Sequence, residues 1–502
     1  MRRLPEPKLE LTVFVVGTGS LGAEIAVARL MAPYFGDSTL IWANIIGVVL
    51  LALSLGYWLG GRLADRNPTS QGMYTLVLVA AALLAAIPFV ADPILGVAVG
   101  ALDSVEAGAF AGSLFGVLAL IAMPVVLLGA IAPYAVRLGV ERVEEAGGVS
   151  GRLYALSTVG SLTGNFLSSL VLIPFVGTTR AFLFFAFIIA LIGVWGLARA
   201  RFALAPAALI VLAAIPVGTV KAATPEGAEV IWESQTTYQY ARVIEFEDRE
   251  RWLELNEGQA IHSIYEPETV LTDNIWDEYL VAPFAVLERP PRSIAILGNG
   301  AGTTSRAYEK LFPQTRIDGV EIDGELSEVG RELFDMNNPR LTVHTADARP
   351  WLESTQERYD AILVDAYRQP YIPFYMTTVE FFELAREKLN PGGVVMVNVG
   401  HPEGNDDLET VLGRTMAEVF PTVMRDPAED TNTLLIGTTD RGAGPARLRT
   451  AIPSLPQEIQ PRAREAAARL APRLPGGKVY TDDRAPVEWL IDSSILEVAT
   501  SE

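Results

Sequence analysis

Three carboxylates and a glycine run in the second half of the sequence have the types and intervals needed to hold a nucleoside. Gly298-Asn-Gly-Ala-Gly302 follows the short apolar run Ser293–Leu297, Glu321-Ile-Asp323 closes Arg316–Glu321, Asp347 follows Leu341–Thr345, and Asp365 closes Tyr359–Asp365. Glycines let a backbone bend sharply and approach a ligand where a side chain would collide. A carboxylate about twenty residues further on can accept both hydroxyls of a ribose. A dinucleotide loop reads GxGxxG, whereas the residues from Gly298 read GNGAGT. The missing third glycine favours an adenosylmethionine-type site over a dinucleotide site. Acids at three successive strand ends converge on one crevice.

Those runs, together with Val394–Val399, alternate with amphipathic stretches, the pattern of βαβ units and a mainly parallel sheet. The expectation is an α/β Rossmann-like domain over 290–502, preceded by a linker and β-hairpin region over 221–289. Residues 1–220 read differently. Apolar stretches long enough to cross a bilayer are Leu11–Ala32, Thr39–Leu59, Met73–Val90, Ser113–Val136, Leu153–Phe175, Ala181–Ala198 and Phe202–Val220, which predicts an α-helical transmembrane bundle of about seven helices. Pro93–Phe110 contains Asp103 and Glu106 and reads as a loop or interfacial helix. The first stretch continues past any cleavage pattern and reads as a retained span rather than a signal peptide. Small residues at Gly17, Gly22, Gly160 and Gly164 predict close helix packing. Glu24 and Arg29 lie inside the first span, where ionisable groups face a partner or a wet cavity.

Composition agrees with this division. Residues 1–220 hold 12 of the 39 Lys and Arg and 11 of the 59 Asp and Glu, so the remainder holds 27 against 48 and a charge of −21. So acidic a surface argues against nucleic acid as a partner. It suits a cationic small molecule or plain solubility. There are no cysteines, which removes thiolate chemistry, disulfides and Cys-zinc sites. Arg2, Arg3, Lys8, Arg62, Arg66, Arg137, Arg142, Arg152, Arg199 and Arg201 fall on one side of a seven-span topology, which places the N-terminus in the cytoplasm. An odd number of spans then sends the C-terminal domain outside, away from cytosolic adenosylmethionine, so its side stays open.

Taken together, these residues resemble the spermidine synthase family of polyamine aminopropyltransferases, and more closely the bacterial plasma-membrane proteins that fuse such a domain to membrane spans. The resemblance rests on Glu24-Ile-Ala-Val-Ala-Arg-Leu-Met-Ala-Pro, Gly56–Arg66, Gly151–Gly160, Thr237-Tyr-Gln239 and the strand-end motifs. It implies a class I methyltransferase/spermidine synthase fold with an N-terminal β-hairpin region. It also implies Gln239 against the nucleoside, Gly298, Gly300 and Gly302 along its methionine-derived tail, Glu321 on the ribose, Asp347 and Ala348 at the adenine, and Asp365 facing the reacting amine. The co-substrate implied is S-adenosylmethionine or its decarboxylated form, with a small-molecule amine as acceptor, no metal, and a homodimer as in many relatives. The chemistry would be attack of an amine on the carbon beside a sulfonium. A carboxylate such as Asp365 would take the proton.

The sequence departs from that family at several points. Ala301 stands where an aspartate grips the aminopropyl ammonium, Arg368 ends the family's Asp-x-x-Asp, Trp276-Asp-Glu278 replaces Tyr-x-Glu, and Asn256-Glu-Gly258 lacks its glutamine in register. Putrescine is therefore not an expected acceptor, and other groups must line the pocket. The candidates are Tyr367 as a second catalytic group, with Tyr371, His262, Trp276, Asp277, Asp482 and Asp483 for the substrate. Asp482 and Asp483 read equally as N-caps of a helix starting near Pro486, while His344 and His401 read as structural. Two other readings stay open, a methyltransferase using the same nucleotide and a polyamine transporter or sensor without catalysis. The second draws on Gly56–Arg66, which looks like a loop of major-facilitator transporters.

Overall fold

The computed structural model describes the chain except for residues 1–5, 36–38, 103–107, 199–203, 215–223, 257–260, 368–371, 492 and 494–502. Arg368, Tyr371, Gly258, Lys221, Arg2, Arg3, Arg199 and Arg201 lie outside the described residues. The chain divides into two units, Met1–Ala222 and Ala223–Glu502.

In the first unit six helices among the described residues are long and apolar enough to cross a membrane: Pro7–Ala32, Ile41–Arg66, Ser70–Ala91, Ala111–Gly139, Val143–Leu172 and Thr178–Leu197. Of the expected seventh span the described part is the 11-residue helix Leu204–Ala214. Residues 93–102, expected in a loop or interfacial helix, are helical and continue the third helix, which runs over Ser70–Leu102 with Pro88 and Pro93 inside it, beyond the candidate span that ends at Ala91. Asp103 and Glu106 lie outside the described residues. The first and fifth helices meet backbone to backbone. A Cβ at Gly160 would lie 2.1 Å from the Phe14 carbonyl oxygen, and one at Gly164 would lie 2.0 Å from that of Thr18. Ser161 and Ser168 donate across the same seam to the carbonyls of Gly17 (3.3 Å) and Gly22 (3.0 Å). In hydrocarbon such close contact and interhelical hydrogen bonds do the work that the hydrophobic effect does in water.

The second unit begins with an antiparallel sheet of four strands in sequence order: β1 (Ala228–Gln235), β2 (Tyr240–Phe246), β3 (Arg251–Leu255) and β4 (Ile261–Tyr265). The expected hairpin region is thus a full meander. A sheet of eight strands follows, made of β5 (Ser293–Leu297), β6 (Arg316–Glu321), β7 (Leu341–Thr345), β8 (Tyr359–Val364), β9 (Leu389–Gly400), β10 (Thr422–Glu429), β11 (Asn432–Thr438) and β12 (Ala471–Pro472). Their order is β12-β10-β11-β9-β8-β5-β6-β7. β7, β6, β5, β8 and β9 are parallel, and the remainder is antiparallel.

Helices on both faces explain why β5 and β8 read as continuous apolar runs rather than alternating ones. Every residue of β8 is buried. The chain starts at β5, moves outward through β6 and β7, then returns to place β8 on the other side of β5. The order therefore reverses between β5 and β8, and the carboxyl ends of those strands open a crevice. The acids found there also begin the helices that follow. Asp323 accepts from the Glu325 amide (3.2 Å) and Asp347 from the Arg349 amide (3.3 Å), satisfying donors that the first helical turn leaves free.

Candidate active site

At the carboxyl ends of β5 to β8 lies a cavity of about 340 Å³, whose walls include Gln239, His262, Gly298, Gly300, Glu321, Asp347, Ala348, Asp365 and Tyr367. Gln239 comes from the turn between β1 and β2, so the small sheet closes the side that the large sheet leaves open. Gly298 and Gly300 have φ of +92° and +51°. A Cβ on Gly298 would lie 2.4 Å from the carbonyl oxygen of Asp365. The glycine therefore allows β5 and β8 to end in contact, which brings Asp365 to the loop.

Glu321 is buried at the end of β6 and accepts from the amides of Gly300 (2.9 Å) and Asp323 (3.0 Å). Burial outweighs those bonds and pushes its pKa up to about 7. Asp365 accepts from Asn398 Nδ2 (2.9 Å) on one oxygen and from Trp276 Nε1 (2.8 Å) on the other. Its pKa rises to about 6, again because desolvation outweighs the neutral donors. Asp347 accepts from the Tyr375 hydroxyl (3.0 Å). Next to it Ala348 is a small residue in the wall.

Several expected site residues are employed elsewhere. The Tyr367 ring lines the cavity, but its hydroxyl donates to the Asn398 carbonyl (2.6 Å) and accepts from the Gly400 amide (2.7 Å). Burial drives its pKa well upward. A phenol so engaged ties the segment after β8 to β9. Asp277 is buried and accepts from the amides of Thr272 (3.1 Å) and Asp273 (2.9 Å), fixing a turn behind the cavity wall. Trp276 serves Asp365 from behind through its indole N–H. Asp482 is held by Arg349 at 2.6 and 2.7 Å and by the Thr378 hydroxyl at 2.7 Å, so it neither lines the cavity nor caps the helix after Pro486. Asp483 is exposed. His344 pairs with Asp318 (2.9 Å) and His401 with Thr433 (3.2 Å), both away from the cavity.

Sequence reasoning missed Asn398, Tyr375 and Thr236. Asn398 was detectable, since a lone amide in the apolar strand Val394–Val399 needs a partner when buried. Thr236 donates to Asp323 (2.5 Å) and takes the amides of Tyr238 and Gln239 (both 3.1 Å), which sets the turn that carries Gln239. Nothing in its local sequence distinguishes it.

Residues 275–428 match the family described as spermine/spermidine synthase domain. A probable polyamine aminopropyl transferase of Bifidobacterium longum is 37% identical over 190 residues, covering 38% of this chain. The chain spans 42% of that relative's length. Polyamine aminopropyltransferase 2 of Ralstonia nicotianae is 26% identical over 422 residues, covering 78% of this chain and 79% of the relative, an overlap longer than the second unit. Among solved structures, a probable spermidine synthase from Corynebacterium glutamicum matches 53% of this chain and 99% of its own at 22% identity and a TM-score of 0.41. A spermidine synthase in complex with the transition-state analogue AdoDATO matches 47% of this chain and 84% of its own at 19% identity and a TM-score of 0.38. The matched segment runs from Ile275 to Ala428 in β10 and so takes in the glycine loop, Glu321, Asp347 and Asp365, and this part of the chain accordingly carries a spermine/spermidine synthase domain.

Proposed function

We propose that this protein is a membrane-bound transferase that binds S-adenosylmethionine or its decarboxylated form and passes an aminopropyl group from the latter to a small amine. The observation that carries the reading is the convergence of Gln239, Glu321, Asp347 and Asp365 on one cavity at the strand-order reversal. In this reading Glu321 takes the two ribose hydroxyls, Asp347 and Ala348 face the adenine, and Gln239 closes over the nucleoside. The sulfonium of the co-substrate supplies an activated carbon. Asp365 stands at the end of β8 with both oxygens steadied by neutral donors, so its charge is left for the acceptor's ammonium. A pKa of about 6 leaves it mostly ionised at neutral pH and able to take the proton that the amine must lose. Holding amine and sulfonium in one desolvated crevice supplies much of the remaining rate.

The six apolar helices support multi-pass insertion in the bacterial plasma membrane. An even number of crossings, with the N-terminus in the cytoplasm, returns the second unit to the side where adenosylmethionine is made. Reporter fusions after residue 200 and at residue 502 read this directly. The deciding assay for the chemistry is product analysis with the full-length protein in detergent, decarboxylated S-adenosylmethionine and a panel of di- and polyamines. Methylthioadenosine with an extended amine supports the proposal. S-adenosylhomocysteine, formed from ordinary S-adenosylmethionine, would replace it with a methyltransferase, and tight nucleoside binding with neither product would leave a binding domain.

A further inference from the structure

Strand β4 carries His262, a substrate candidate in the sequence, over the glycine loop. Its neighbour Ser263 accepts from the Ala301 amide through Oγ (2.9 Å), and Thr303 Oγ bridges both the amide and the carbonyl of Ile264 (2.9 and 3.0 Å). These bonds tie β4 to the loop. A Cβ at Gly300 would lie 3.2 Å from the His262 carbonyl oxygen. His262 lines the cavity, yet its Nε2 is buried and has no hydrogen-bond partner among the described residues. A buried ring nitrogen left unpaired costs stability unless something in the cavity completes it. Burial also depresses the pKa of this imidazole to about 4, so it is neutral at physiological pH.

The loop beneath it offers no side chain of its own. Asn299 Nδ2 is turned onto the Met336 sulfur (3.2 Å), and the Ala301 methyl packs into the apolar cluster with Val243, Leu326 and Val329. Continuing the Proposed function, with the ribose on Glu321, whatever extends beyond its 5′ carbon runs along Gly298 and Gly300 toward Asp365. The polar atoms of that extension are an ammonium and, in the carboxylated form, a carboxylate. A neutral imidazole can accept from the first or, in its other tautomer, donate to the second. A carboxylate in the same place would attract the one and repel the other.

We propose that His262 receives the charged tail of the nucleoside co-substrate, and that its neutral imidazole admits the carboxylated and decarboxylated tails alike. The inference rests on the nucleoside reading above. The experiment is calorimetry on the full-length protein with three probes: methylthioadenosine, which has no charged tail, S-adenosylmethionine, and decarboxylated S-adenosylmethionine. The wild type should bind the two tailed forms within about tenfold of each other. His262→Ala should weaken both by about tenfold, the effect of losing one hydrogen bond to a charged group, and leave methylthioadenosine within about twofold. His262→Gln, which keeps an acceptor and a donor, should restore most of the loss, and His262→Asp should shift preference toward the decarboxylated form. Equal losses for all three probes in His262→Ala, or no loss for any, would overturn the assignment. A wild type that does not bind methylthioadenosine overturns the nucleoside reading itself, whatever the variants do.

Discussion

Two sets of buried carboxylates sit in the same globular unit and are compensated in opposite ways. Glu409 is gripped by Arg425 through both oxygens, and Asp426 by Arg469 (2.8 Å), with all four side chains serving the packing of helices on the sheet. Glu321 and Asp365, at the strand ends, have neutral donors only among the described residues: two amides for the first, an amide side chain and an indole for the second. An arginine beside a carboxylate uses up its charge in holding the fold together. Neutral donors orient a carboxylate and leave its charge for a ligand, at the expense of a raised pKa. Among these four acids the kind of partner, more than burial, goes with position at the cavity. Asp277, held by the neutral amides of its own turn, shows that neutral donors alone do not make an acid functional.

The comparison breaks most readily at Asp365. Replacing it by Asn should lower turnover by roughly a thousandfold, the range for losing a proton acceptor, with methylthioadenosine affinity nearly unchanged in calorimetry. Turnover kept within a few fold would move Asp365 into the structural set. Arg425→Met tests the other side. It strands the buried Glu409 carboxylate and should cost about 3–5 kcal/mol of stability, read as a lowered thermal midpoint, while the folded fraction keeps its product and KM.

Glu321→Gln should weaken nucleoside binding by about ten- to a hundredfold, since a ribose hydroxyl then loses a charged acceptor. The wild type should show the same dependence in its pH profile. Both acids act ionised and both pKa values are raised, to about 7 for Glu321 and about 6 for Asp365. Lowering pH through 7 therefore protonates Glu321 first and Asp365 next, and kcat/KM should fall on the acid side in two steps. A flat profile from pH 5 to 8 would contradict both shifts. The smallest effect is expected for Tyr367→Phe, about 1–2 kcal/mol of stability from two lost hydrogen bonds with kcat little altered. A large loss of kcat with binding intact would return that hydroxyl to the chemistry.

β5 and β8 were readable from local pattern, because a strand buried on both faces is a short apolar run. β6 and the edge strand β7 were readable from their spacing after β5. β5, β6 and β7 have the expected limits, and β8 ends one residue early, at Val364. The antiparallel edge was not readable. β10 has an irregular register between Asp426 and Glu429 and carries charged residues, so no simple alternation marks it. In the first unit hydropathy located the spans, and the third, expected over Met73–Val90, is found over Ser70–Ala91, while the helix that carries it continues to Leu102.

What the sequence determined alone was the order of the five parallel strands and the placing of glycines and acids at their ends, since both follow from side-chain period and backbone sterics within a few residues. What only the tertiary structure decided was which polar groups remain free. Asp277, Tyr367 and Asp482 looked as available as Asp365 and His262 until their partners were visible. Those partners, Thr272, Gly400 and Arg349, lie 5, 33 and 133 residues away. A hydrogen bond is satisfied by proximity in space, and at the longer of these separations no periodicity of the chain encodes it.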